Sequence, residues 1–300
     1  MTEQKKAYFQ LHISIFLWGF TAILGKIIVA GQVQLVWYRL LMVCGCMLFF
    51  PALWRNLKTV TPANALRIAG IGCMVVIHWL CFYGAIKYAN VSVSLSCLAT
   101  SSFFSSFLEP IINGQKIKRH EILLGLIVVP AIYMIFHFTG FHVVGIALGL
   151  GAALFASIFT ILNKRMVDSH HAFSMTYIEF AGGLLFLTAL LPFYLYLNPT
   201  ASMQISTHDI GYIGLLAVAC TLLPFTLSLH SLRHLSAFTA NLSVNLEPVY
   251  GIIMATFIFK EYKELNWGFY TGALVILLTV FIHPFLQGRF GEKKNAVMVE

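Results

Sequence analysis

One carboxylate in this chain stands where a carboxylate is costly. Glu247 lies about ten residues into an apolar run, 237–258, and at ~1.5 Å per helical residue that depth is near the middle of a layer about 30 Å thick. An acid there either holds a proton or the cationic group of a ligand, coupling its charge state to movement, or is satisfied structurally by a neighbouring helix. Pro248 beside it lacks an N–H and crowds the carbonyl of Val244, which predicts a kink at the carboxylate. Asn241 and Asn245, four residues apart, share one helical stripe and suit either a small polar ligand or amide bonding between helices.

The other polar side chains in apolar runs fall into three chemistries. His78 is mid-run in 66–87 and is either a proton carrier or a satisfied core histidine. Arg39 and Glu179 sit about two turns inside opposite faces of the membrane, where long side chains can snorkel to water; Arg39 can alternatively attract an anionic group. Ser101 and Ser102 belong to a hydroxyl-rich run, 91–112, that also carries Ser94, Ser96, Thr100, Ser105 and Ser106, predicting one wet stripe. Trp18, Trp79, Tyr83 and Phe20 either stack on a planar ligand or fill the interior, and Trp18 gains from Gly19, which lets a neighbour approach closely. The candidate substrate-binding set is therefore Glu247, Asn241, Asn245, Ser101, Ser102, Trp18, His78, Tyr83 and Arg39. Glu109 also stands in a Leu-Glu-Pro triplet but is out of register with Glu247, and it is read as an interface residue.

The elements that must hold these groups follow from composition. Of 300 residues 59% are hydrophobic and 10% charged, with mean hydropathy +0.84, more apolar surface than a soluble core can hide. Runs such as 122–136 are apolar on all faces over helix length, which excludes a barrel of alternating strands. The net charge of +8 is not gathered into a basic polar segment, so nucleic acid is excluded as a partner and the bilayer takes its place. The six cysteines lie in apolar runs without metal spacing, and no metal or cofactor is expected. The first apolar run, about 21 residues, is longer than the core of a secretory signal and is read as a retained helix.

Charged and Pro/Gly/Asn-rich breaks divide the chain into ten predicted spans: 9–29, 33–53, 66–87, 91–112, 121–139, 143–163, 172–195, 209–230, 237–258 and 266–286. Fourteen of the 19 Lys and Arg residues fall on the side of the N terminus, and only Lys87, Lys260 and Lys263 on the other. That bias predicts a multi-pass inner (cell) membrane protein with both termini cytoplasmic. Gly145-x-x-x-Gly149 and Gly268-x-x-x-Gly272 have close-packing spacing, serving intramolecular contacts or, for the second, a homodimer.

The second half echoes the first. Ile23-Leu24-Gly25-Lys26 matches Ile161-Leu162-Asn163-Lys164, and a shift of 146 pairs Lys87 with Arg233 and Ser101-Ser102 with Glu247-Pro248. Five spans per copy is odd, so the copies, 1–140 and 141–300, cross the membrane in opposite senses as an inverted repeat. With Trp18-Gly19, Tyr38-Arg39, Leu246-Glu247-Pro248-Val249 and Lys260-Glu261 in this order, nearly the whole chain resembles the EamA-type drug/metabolite transporters. It departs from them where Ser102 replaces the usual proline and Gln115 the usual loop glutamate. The resemblance implies an all-α bundle of ten helices with a cavity lined mainly by helices 1, 3, 4, 6, 8 and 9, and export or exchange of small metabolites such as amino acids. Proton coupling at Glu247 or His78 is an accompanying expectation.

Rival classes lack their signatures. No GxxxxGK[ST] loop serves a nucleotide, and no HExxH or GxSxG motif serves a membrane-embedded enzyme. No repeated charged rings suggest a channel.

Overall fold

The computed structural model describes residues 2–137 and 143–259, and of the last apolar run residues 267, 268, 270–272, 274, 275, 278, 279 and 282. The remainder of predicted span 266–286, the Lys260-Glu261 pair and the C-terminal basic residues lie outside the described residues. Among those described the secondary structure is helix and turn, without strands. The chain is an all-α membrane protein, and the long apolar helices leave outward faces of Leu185, Leu190 and Phe193 that suit lipid rather than water.

Among the described residues six helices or helix pairs are long and apolar enough to cross a bilayer, and a seventh if the bent pair α2 and α3 is one span. They are α1 (Glu3–Ile27), α4 (Pro62–Tyr88), α5 with α6 (Val91–Leu98 and Ser101–Asn113), α8 (Val143–Val167), α9 (Ala172–Leu197) and α10 with α11 (Thr207–Ala217 and Leu223–Ser231). The others are α2 (Gln32–Met47), α3 (Pro51–Leu57), α7 (Arg119–His137), α12 (Ala237–Val244) and α13 (Glu247–Phe259). Short capped connections set the helix starts: Thr61, Asn90, Ser206 and Ser236 each accept a backbone N–H from the first turn that follows.

Four predicted spans are interrupted. Run 33–53 bends by 92° between α2 and α3, because Pro51 forces Phe50 into extended backbone and cannot donate to the preceding turn. Between α10 and α11 the chain passes through a π-turn, Val218–Leu222, just before Pro224, whose missing N–H frees the carbonyl of Cys220.

The third interruption falls beside Glu247, where a kink was expected, but its cause is not Pro248. The helix breaks before Glu247, so Pro248 lies in the first turn of α13, where its lack of an N–H is harmless. Adding 146 to the bounds of α5 and to the start of α6 reproduces the bounds of α12 and the start of α13 residue for residue. The first copy breaks at Ala99–Thr100 with Ser102 in the proline's place, so the break belongs to the packing of the repeat and not to the proline. Two half-helix N-termini, at Ser101 and Glu247, thereby come to lie at membrane depth.

Glycines set the close approaches. Gly145 abuts Ala89 and Gly149 abuts Cys97, so this glycine pair serves intramolecular packing, and Gly19 meets Tyr250 and Gly251 of α13. The tightest crossing is α4 on α9, where a Cβ added to Gly72 would lie 1.9 Å from the carbonyl oxygen of Glu179. Gly72→Ala is expected to force these helices apart and cost about 1–3 kcal/mol, read as a lower apparent Tm of the detergent-solubilised protein. Gly70→Ala on the same helix, where a Cβ meets nothing within 4 Å, should leave Tm unchanged or slightly raised.

Candidate functional site

A cavity of about 80 Å³ lies inside the bundle. Its wall draws on all six helices that the resemblance implied, plus Arg39 of the second. In this conformation it has room for waters or a small polar group, and a metabolite enters only as helices part.

Arg39 is the best-anchored group on that wall and is almost wholly buried, so it does not snorkel. Its Nε donates to Thr221 Oγ1 at 2.6 Å, Nη1 to the Tyr83 hydroxyl at 2.8 Å and Nη2 to the carbonyl of Cys220 at 3.3 Å. The guanidinium lies 3.8 Å from the centre of the Trp79 ring. Each contact traces to a local cause. The π-turn and Pro224 expose the Cys220 carbonyl and turn Thr221 toward α2, while Tyr83 is seated against Gly25, the only residue type whose surface lets the ring so close.

Glu247 opens onto the same cavity from the first turn of α13 and is 4% exposed. Among the described residues it makes no hydrogen bond and no cation lies within 4 Å of it, Arg39 included. The cavity therefore carries a fixed cation and a carboxylate that do not neutralise each other by direct contact, between the aromatic surfaces of Trp18, Trp79 and Phe82.

The remaining predicted site residues divide. Trp18, His78, Ser101 and Asn241 line the cavity. His78 Nδ1 lies 2.8 Å from the carbonyl of Ala152; a carbonyl only accepts, so that nitrogen carries the hydrogen. Asn241 spends its amide N–H on Ser105, at 2.6 Å.

Three members of the set are off the cavity wall. Asn245 donates to Ser102 Oγ at 3.1 Å, joining α12 to α6, and neither residue lines the cavity. Tyr83 positions Arg39 from behind. The wet serine stripe is corrected in the same way: of the described serine side chains on α5 and α6 only Ser101 reaches the wall. Ser94, Ser102 and Ser106 turn their hydroxyls to carbonyls of Phe82, Ala99 and Phe103, because in a dry bundle a hydroxyl's readiest acceptor is backbone.

Glu109 and Glu179 are also placed. Glu109 accepts the N–H groups of Ala237 and Phe238 at 3.2 and 2.7 Å, capping α12 across the interface, as an interface residue should. Glu179 does not snorkel: it is fully buried and accepts from Asn163 Nδ2 at 3.1 Å. Asn163 and Thr221 were not singled out from sequence, although Asn163 stands in the Ile-Leu-Asn-Lys tetrapeptide of the repeat and Thr221 three residues before Pro224.

The cavity reaches toward the end of the bundle where α1 starts, with Leu11, Asn163, Ser228 and Leu232 on its wall. The opposite end is tied shut. Asp209 accepts the N–H groups of Val29 and Ala30 at 3.0 and 2.9 Å, Lys87 donates to the Ile28 carbonyl at 2.6 Å, and Tyr38 to the Met203 carbonyl at 2.9 Å. In a background lacking the native cysteines, Ser228→Cys is expected to react with a polar thiol reagent, and Ile86→Cys, on the tied side, to be protected at least tenfold. Equal labelling rates would contradict this conformation.

The fold is shared with solved structures. One crystal structure, 12% identical, superposes over 94% of this chain and 98% of its own with a TM-score of 0.70, which speaks for the fold alone. No curated protein matches the sequence. The sequence pattern of the EamA-like transporter family matches residues 5–137 and again 143–283. The chain therefore belongs to the EamA-like transporter family of the drug/metabolite transporter superfamily, whose members are membrane transporters of small molecules.

Proposed function

We propose that this protein is a secondary transporter that exports or exchanges small zwitterionic metabolites such as amino acids by alternating access. The observation that carries this reading is the separated pair on one wall, Arg39 held by Tyr83, Thr221 and Trp79, and Glu247 without a direct partner. A carboxylate docks on a guanidinium in bidentate fashion, an ammonium neutralises an unpaired carboxylate, and aromatic rings cover the side chain between them. The copies 1–140 and 141–300 form an inverted repeat of ten crossings, which provides inward- and outward-open states from one architecture. Both termini are cytoplasmic, as the basic bias requires. An active periplasmic reporter fused to the C terminus would overturn that orientation.

Purified protein in liposomes preloaded with single amino acids should show saturable counterflow of the labelled form. A conductance that does not saturate would make it a channel, and chemical change of the solute an enzyme. Uniform inactivity toward amino acids, with counterflow of a purely cationic or anionic solute, would retain the transporter and overturn the zwitterion.

A further inference from the structure

We propose that Glu179 carries a proton and forms with Asn163 an acid–amide pair, the proton-binding site of this transporter. The pair lies on α9 and α8, and Glu247 on α13. Both side chains are at least 99% buried, and Asn163 Nδ2 donates to Glu179 Oε2 at 3.1 Å. That leaves two orphans on the same pair of side chains: Glu179 Oε1 and Asn163 Oδ1 are both buried acceptors without a hydrogen-bond partner. Two acceptors cannot satisfy one another. A single hydrogen on Glu179 supplies the missing donor, and its bond to the Asn163 carbonyl closes the two-bond ring by which a carboxylic acid pairs with a primary amide.

Among the described residues no cation competes for this role. α4 meets Glu179 with the backbone of Gly72, and Cys73 beside it bonds Ala69. α11 meets α9 through Phe225 and Thr226, and its His230 bonds Gln10. On α8, Lys164 is committed to the carbonyls of Leu232 and Arg233. α2 contributes Cys44 and Arg39, the latter held in its own cage, and Arg55 of α3 is exposed. A carboxyl group off the cavity wall, fully buried and met by a single neutral donor, is far costlier ionised than as the acid, whereas Glu247 faces the cavity that Arg39 also lines.

The consequence for transport rests on the transporter reading above; the proton itself does not. Asn163 lines the cavity while holding Glu179, so it joins the two sites. When its amide turns to a bound solute, the pair opens to the cavity, entering water solvates the carboxyl group and takes the proton, leaving a hydrated carboxylate and hydronium. The reverse step reloads Glu179. One proton moves and no electron does.

Infrared spectroscopy of the full-length purified protein near neutral pH tests the proton without any ligand. The expected spectrum contains a carboxylic-acid C=O band that shifts in D2O, is lost in Glu179→Gln and persists in Glu247→Gln. No such band in the parent, or one unchanged in Glu179→Gln, overturns the proposal. Should Glu179→Gln fail to fold, Asn163→Ala decides: loss of the amide bonds should move the band to higher frequency, and an unmoved band overturns the pairing. For coupling, pyranine-loaded liposomes are driven with whichever amino acid shows counterflow. The parent should move protons with it, and undiminished proton movement in Glu179→Gln overturns the site. Failure of every amino acid in counterflow would count against the zwitterion reading and leave the infrared result decisive.

Discussion

Arg39→Gln is expected to cut counterflow by about 30-fold or more while the protein still inserts in the membrane. Removing one partner of a buried, hydrogen-bonded charge typically costs about 2–5 kcal/mol, and each ~1.4 kcal/mol is a tenfold change. Glutamine retains one donor group and no charge, so it can serve at most part of the set formed by Thr221, the Tyr83 hydroxyl and the Cys220 carbonyl. Arg39→Lys separates charge from geometry. It keeps the cation but not the planar fork or the stacking on Trp79, and an intermediate rate is expected. The decisive measurement is the initial counterflow rate beside apparent Tm: parental rates in Arg39→Gln would show that the guanidinium is only a strut between α2, α4 and the π-turn.

Glu247→Gln tests the other charge, and the contrast with Glu109→Gln isolates environment from sequence context. Both residues occupy Leu-Glu-Pro triplets. Glu247 faces the cavity without a direct partner, whereas Glu109 spends both oxygens on the N–H groups of Ala237 and Phe238. Glutamine at 247 keeps the shape and removes the charge, and transport should fall at least about tenfold with little change in Tm. At 109 glutamine keeps one acceptor for the α12 terminus, so stability should fall by about 0.5–2 kcal/mol and transport should stay near parental. A Glu247→Gln variant with parental rates and an unaltered pH profile would make that carboxylate structural and shift attention to Glu179.

Much of the site was legible before the fold because the membrane makes polarity informative. An ionisable group deep in an apolar run needs a cavity or a partner, so depth singled out Glu247 and His78, whereas Arg39 and Glu179, nearer the ends of their runs, could have snorkelled. The six helices that line the cavity followed from the resemblance. Which alternative each polar residue takes was not legible. Asn241 and Asn245 share a stripe in sequence, yet Asn245 is fully buried against Ser102 and only Asn241 reaches the wall. One helical turn of displacement across the α6–α12 contact decides the difference, and periodicity carries no such phase.

By itself, the sequence determined that this is an all-α membrane protein with a repeated plan, because composition and apolar run length leave few ways to satisfy every backbone group in lipid. It also determined the repeat register, since the shift of 146 that pairs Ser101-Ser102 with Glu247-Pro248 pairs the half-helices as well. Only the tertiary structure decided the cage around Arg39 and the burial of Glu179 with Asn163. Each depends on residues 16 to 182 positions apart meeting in space, as Arg39 meets Thr221 and Asn163 meets Glu179. Local preference fixes where a helix can bend, but whether a buried charge finds its donors is settled by what the neighbouring helices bring to it.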